Sequence, residues 1–189
     1  MNRTQLPFPI VFVILAIFVF FISSANGQFH NDKTSIDYDS LFKSSLKRGG
    51  KFLDLSGKKI GDEGVKILVA HDIWTKVKKV DLRYNDISWV GAKTLADSPP
   101  LNNLKSLILR HNFLADEGAV IFAQSKSYPN LQELQLGWNE VRDAGALAFV
   151  KTDSFPKLQK LDLRGNFLAS TTKDALKKSL GHYKALKLY

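Results

Sequence analysis

Apolar residues recur in this chain as short blocks spaced 27 positions apart. Leu53-Asp54-Leu55, Val80-Asp81-Leu82, Leu107-Ile108-Leu109, Leu134-Gln135-Leu136 and Leu161-Asp162-Leu163 hold that spacing without drift. Side chains alternate with period two along a strand, so the outer residues of each block face one side and the middle residue the other. The last four blocks run on to an asparagine and then an apolar residue: Asn85/Ile87, Asn112/Leu114, Asn139/Val141 and Asn166/Leu168. Gly64, Gly91, Gly118 and Gly145 keep the same spacing. Four residues after each come Leu68, Leu95, Phe122 and Phe149, one helical turn away on the same face. Each unit therefore predicts a strand, a turn and a helix. A unit this short cannot bury its own apolar face, so neighbours must stack into a solenoid.

The remaining columns give each position a role. The asparagines are expected to form a ladder to backbone groups in the strand-to-helix turn, where donors and acceptors would otherwise be buried unpaired. The glycines read as points where helix and strand approach closely. Trp74, Leu101, Tyr128, Phe155 and His182 form a column expected to seal the bottom of the helix layer. Departures fall at the ends, as terminal repeats commonly show. Lys58 takes the asparagine position of the first unit, and Thr172 and Lys173 replace the glycine and an apolar residue in the last. Residues 28–50 read as an N-terminal cap, with an amphipathic stretch from Leu41 to Leu46 before Gly49-Gly50. Leu186-Lys187-Leu188-Tyr189 begins a sixth strand and stops in mid-motif. Such an edge invites a partner or a second copy, unless it is simply a short strand blunted by Lys184 and Lys187.

The pattern Leu-x-Leu-x-x-Asn-x-Leu resembles the leucine-rich repeat. The helix starts Gly61-Asp62-Glu63-Gly64, Ala115-Asp116-Glu117-Gly118 and Arg142-Asp143-Ala144-Gly145 resemble the ribonuclease-inhibitor-like subfamily, also found in NOD-like receptors. The resemblance covers about residues 51–189. It implies an α/β fold: a right-handed solenoid of about five repeats and a partial sixth, with a curved parallel sheet on the concave face and helices on the convex face. It also implies protein binding rather than any one partner, since fold alone does not assign function.

The first 27 residues are of another kind. Arg3 is followed by seventeen uncharged residues, Leu6 to Ile22, and then by Ser23-Ser24-Ala25-Asn26-Gly27. A basic start, an apolar middle and small residues at the end are the pattern of a secretory signal peptide, here cleavable after Ala25 or Gly27. The alternative is a retained single-pass anchor through residues 6–22, at the lower limit of spanning length and weakened by Pro7 and Pro9. The expectation is a secreted protein, with membrane contact only if this segment stays attached.

Net charge is +9, and loss of Arg3 alone leaves +8 on residues 28–189. A surplus of that sign attracts polyanions such as anionic glycans or lipid headgroups at low salt. No nucleic-acid module is recognisable. With no cysteine, stability must come from packing. His30, His71, His111 and His182 sit in no metal-ligand spacing, and the chain has neither a nucleophile elbow nor a phosphate loop. The expectation is accordingly a non-enzymatic module with no cofactor and no catalytic residue. A truncated receptor-type repeat fragment without independent activity is a further alternative.

Binding should lie on the concave strands. After the second leucine of each block come Ser56, Arg83, Arg110, Gly137 and Arg164, and then Gly57, Tyr84, His111, Trp138 and Gly165. Aromatic and arginine residues dominate binding hot spots because they bury much area and donate planar hydrogen bonds. Arg83, Tyr84, Arg110, His111, Trp138 and Arg164 are therefore the candidate partner-binding residues, and Asn85, Asn112, Asn139 and Asn166 the structural ladder. The position before the asparagine also packs against its neighbours in such repeats, so the aromatics have a scaffold reading as well. Expression of the full chain in a secretory host should release protein that starts at Asn26 or Gln28 by intact mass; recovery from membranes with the N-terminus intact would establish the anchor.

Overall fold

The 27-residue spacing becomes strand register. The computed structural model describes residues 36–189, and Asp37–Tyr189 form one unit. The signal or anchor segment, and residues 28–35 of the expected cap, lie outside the described residues. In chain order the elements are α1 (Tyr38–Ser44), β1 (Leu46–Lys47), β2 (Phe52–Asp54), α2 (Gly61–Ala70), β3 (Lys79–Asp81), α3 (Trp89–Ala96), β4 (Ser106–Ile108), α4 (Ala115–Gln124), β5 (Glu133–Gln135), α5 (Asp143–Ala148), β6 (Lys160–Asp162), α6 (Ser170–Leu180) and β7 (Ala185–Lys187). A 3-10 turn, Asp72–Thr75, follows α2. Among the described residues the strands form one seven-stranded sheet in sequential order. Leu53, Val80, Leu107, Leu134 and Leu161 are each paired with the next.

The two ends depart from the expected regularity. The sheet is parallel from β2 to β7, but β1 runs antiparallel to β2. A connection of a few residues can only fold back on itself, since a parallel crossover needs a dozen or more. Arg48, Gly49 and Gly50 make that reversal with φ of 53°, 64° and 78°. At the other end Leu161 pairs with Leu186, so the last unit is 25 residues, not 27. The two missing residues displace one predicted column member. His182 is exposed, and the buried Leu180, 25 positions after Phe155, completes the column with Trp74, Leu101 and Tyr128.

The core lies between sheet and helices. Both leucine-type positions of every full block are buried, as are Leu68, Leu95, Phe122, Phe149 and Leu176 on the helices. Tyr128 is buried whole, and its hydroxyl donates to Leu95 O at 2.6 Å. Burial pushes that phenol well above its ordinary range.

The asparagines form the expected ladder. Asn112 Nδ2 donates to Leu82 O of the preceding repeat at 3.0 Å and to Leu109 O of its own at 2.9 Å. Its Oδ1 accepts from Asn85 N and Ile87 N, both at 3.0 Å. Asn85 and Asn166 repeat the arrangement toward their preceding units. One rung lapses: Asn139 Nδ2 makes its donations, but its Oδ1 is buried without a partner.

The glycine column serves a different approach from the one expected. A Cβ on Gly118 would lie 3.2 Å from Ala92 Cβ, and one on Gly145 2.9 Å from Ala119 Cβ. Helix packs against helix here, not helix against strand. The acids at the helix starts also act across the stack. Asp62 of α2 accepts from Ser88 N at 2.8 Å, Ser88 Oγ at 2.6 Å and Gly91 N at 3.0 Å, capping α3. Asp116 caps α5 through Arg142 N and Gly145 N, both at 2.8 Å, and Asp143 caps α6 through Ala169 N at 2.9 Å. Each acid therefore caps the helix of the repeat after its own. Trp89 occupies this place in α3, and α4 has no side-chain cap.

Two substitutions test these contacts. Asn112→Ala leaves the Leu82 carbonyl and the N–H groups of Asn85 and Ile87 without their partner, and should cost about 3 kcal/mol or more in denaturant unfolding. Gly91→Ala places a methyl on Asp62 Oδ1 and within 2.7 Å of Ile87 Cγ2. It should lower the melting temperature, although the same change in an open helix stabilises by up to about 1 kcal/mol.

Candidate binding row on the strand-to-helix turns

The residue after each candidate arginine sits where the chain leaves its strand, and the turn there is left-handed. Gly57 and Gly165 have φ of 68°. In the three units between them the same position holds Tyr84, His111 and Trp138 at φ of 57°, 54° and 55°. Glycine enters that region freely, whereas an L side chain crowds its own carbonyl at a cost of about 1–2 kcal/mol. Three large aromatics are therefore held where the outer units use glycine.

Their rings stack. Tyr84 and His111 lie 4.2 Å apart by ring centroids with planes 10° apart, and His111 and Trp138 4.8 Å apart at 14°. Trp138 continues onto Gly165, where a Cβ would overlap the indole. Such pairs contribute roughly 0.5–1.5 kcal/mol each, comparable to the backbone cost. Tyr84 nonetheless stays 48% exposed and Trp138 37%.

The arginines flank this column. The Arg110 guanidinium lies 4.6 Å from the Trp138 ring centroid and that of Arg164 5.7 Å, within cation–π range. Arg83 pairs with Asp81 at 3.0 Å. Arg164 grips Asp162 with two parallel bonds, Nε at 3.0 Å and Nη2 at 2.7 Å. The difference shows in the acids. Burial raises the Asp81 carboxyl above its usual range despite Arg83. Burial opposes ionisation of Asp162 as well, but the two-pronged Arg164 contact holds it below the usual range. Asp54, at the same place in β2, is held at about 2, chiefly by Lys47 at 2.5 Å. All six candidate residues thus fall in one row, and Gly137 leaves a gap in the arginine column.

Two further features surround the row. A depression of about 150 Å³ over β5–β7 is lined by Glu133, Gln135, Lys160, Asp162 and Lys187, with both signs of charge. Among the described residues no cluster of His, Asp and Glu is placed to hold a metal ion. Sequence reasoning passed over the exposed apolar residues Trp89, Val90, Phe113 and Phe167. The signal was present, because Phe113 and Phe167 share a column with Lys59, Asp86 and Glu140.

Burial and the neighbouring charges of Arg110 and Arg83 lower the His111 pKa. An unfolded histidine titrates near 6.5, so below that pH the unfolded chain takes up a proton that the folded chain resists. His111 therefore costs stability as pH falls from about 7 toward 5 and none above that window. The melting temperature of His111→Asn should fall less than that of the wild type over this range; equal falls would remove His111 as the cause.

The fold can be compared with known proteins on this basis. The family model described as Leucine Rich repeat matches residues 75–96, 101–123 and 129–150. Curated proteins give no match. A solved structure titled Leiomodin-1 Actin-Binding Site 2 superposes with a TM-score of 0.59 at 16% identity, covering 77% of this chain and 86% of its own. The tropomodulin C-terminal domain of Caenorhabditis elegans gives 0.53 at 16% identity, covering 78% and 93%. At that identity the likeness concerns the fold. Register, asparagine ladder and family model agree on a leucine-rich-repeat fold for this chain.

Proposed function

We propose that this is a secreted, non-enzymatic protein-binding module that recognises its partner through the row Tyr84-His111-Trp138 and the arginines beside it. The observation that carries this reading is the left-handed backbone at three aromatics whose outer counterparts are glycine. The same left-handed region is entered at Lys59, Asp86 and Glu140, so the repeat sets the backbone; what distinguishes the row is large rings at a position that takes glycine in the outer units. Stacking accounts for how the rings are arranged. It does not account for the choice of large rings that remain open to solvent at a position served elsewhere by glycine. A solved structure of this fold is titled as an actin-binding site, which accords with a protein partner for the scaffold without naming the partner here. Secretion rests on residues 1–27, with their charged start, apolar middle and small-residue end.

The polyanion alternative has less support on this face. Arg83 and Arg164 are neutralised by Asp81 and Asp162, and Lys47, Lys59, Lys93 and Lys126 pair with acids elsewhere. The surplus of positive charge is therefore carried mostly by lysines outside this row.

Tyr84→Gly and Trp138→Gly separate binding from scaffold. Each removes a ring and relaxes a left-handed turn, so the loss of stacking is largely offset. Against a panel of secreted and cell-surface proteins, a partner captured by the wild type should be lost by both variants, with melting temperatures close to the wild type. Capture unchanged by either variant would remove the row as the interface. Binding that vanishes at high salt yet ignores both rings would establish the polyanion surface instead.

A further inference from the structure

The three arginines of the row are not equivalent. Arg83 and Arg164 each find a carboxylate two residues back on their own strand. At that place before Arg110 stands Ile108, buried and apolar. The next strand brings Gln135, whose amide is turned to Glu133 at 2.7 Å, and then Gly137, which has no side chain. Among the described residues the Arg110 guanidinium has no ion pair. Its Nε is buried with no hydrogen-bond partner, whereas its terminal nitrogens are not among the buried unpartnered atoms. The group is also held in place, 4.6 Å from the Trp138 ring centroid. A positioned planar fork with unused donors at its open end is a receptor for a carboxylate, whose two oxygens match its spacing.

We propose that Arg110 receives an Asp or Glu carboxylate from an extended, mostly uncharged segment of a partner protein, with neighbouring apolar residues of that segment lying on Tyr84 and Trp138. This rests on the row being the interface. The surrounding charges select a single acid over a run of them. Asp81 lies on the adjacent strand and Asp162 two strands away, and both arginines that could answer further negative charge are occupied by them. A sulfated chain or an acidic lipid surface would meet those carboxylates on either side.

The test is selection of a displayed random-peptide library on the full chain recovered from a secretory host, in parallel with Arg110→Gln, Arg110→Lys and Tyr84→Gly. Peptides selected on the wild type should converge on one acidic position flanked by apolar residues. Their affinity should fall about 10- to 100-fold for Arg110→Gln, the range for an unmade hydrogen bond to a charged group. Arg110→Lys should fall between, because it keeps the charge and loses the fork. Replacing the peptide's acid by its amide should cost the wild type the same factor and cost Arg110→Gln almost nothing. Peptides that need Tyr84 but carry no preferred acid, or that ignore Arg110→Gln, overturn this inference and leave the row as an interface. Peptides that ignore both Tyr84 and Arg110, or a library that yields none, overturn both. Circular-dichroism melting of Arg110→Gln keeps misfolding apart from lost recognition, and affinity loss that only tracks unfolding also overturns the assignment.

Discussion

One side-chain amide per repeat, shared between two backbones, is the contact on which this stack depends. The parallel strands are only three residues long, so regular pairing alone leaves the chain unsupported as it turns toward the helix. The asparagine solves that locally. At Asn112, Nδ2 donates to carbonyls of its own repeat and the preceding one, and Oδ1 accepts from N–H groups of the preceding turn. Parallel hydrogen bonding then continues past the strand ends, from Leu82 N to Ile108 O at 2.8 Å and from His111 N to Gly137 O at 3.0 Å. Buried backbone groups must be paired, so the turn has one workable shape and each repeat copies it. The left-handed residue before the asparagine is a consequence of that shape.

The aromatic row is where the needs of the scaffold and of a surface meet at the same residues. The turn calls for a conformation that glycine adopts freely, and the first and fifth units supply glycine. The three central units supply rings that recover part of the backbone cost by stacking on one another. A column of this kind is rigid before any partner arrives. Preorganised aromatic surface loses little side-chain entropy on association, which adds to the contribution of the area it buries. The arginines follow the same logic, because stacking on Trp138 and pairing with Asp162 fix forks that would otherwise sample many rotamers.

Much of this was legible in the sequence because repetition makes each position visible five times. The leucines, the asparagine ladder and the grouping of the six candidate residues followed from spacing alone. The misread positions were those decided between repeats or by length. His182 fell out of its column because the last unit is two residues shorter, a change that pairing exposes and a fixed period conceals. The glycines were assigned to the strand layer because a single sequence shows that a small residue is needed, but not what approaches it. The carboxylates of the helix-start acids act one repeat further on, a contact that no single repeat displays. Left-handed turns at Tyr84, His111 and Trp138 were signalled only by Gly57 and Gly165 in the same column.

The acid series that ties each helix to the next is interrupted once, at Trp89. Elsewhere a carboxylate bonds the backbone of the following helix start, but at the start of α4 the contact with α3 is apolar, with Ala92 facing Gly118. The links of this stack are therefore unequal in kind. The junction that lacks the carboxylate is tied at the far ends of the same helices, where Ser125 Oγ donates to Ala96 O at 2.7 Å and the Tyr128 hydroxyl to Leu95 O at 2.6 Å. In a molecule whose cooperativity is transmitted only from neighbour to neighbour, every junction needs such a tie, whichever end of the helix supplies it. The stack of Tyr84 on His111 crosses this same junction on the strand side, so the joint without an acid is fastened on both of its layers.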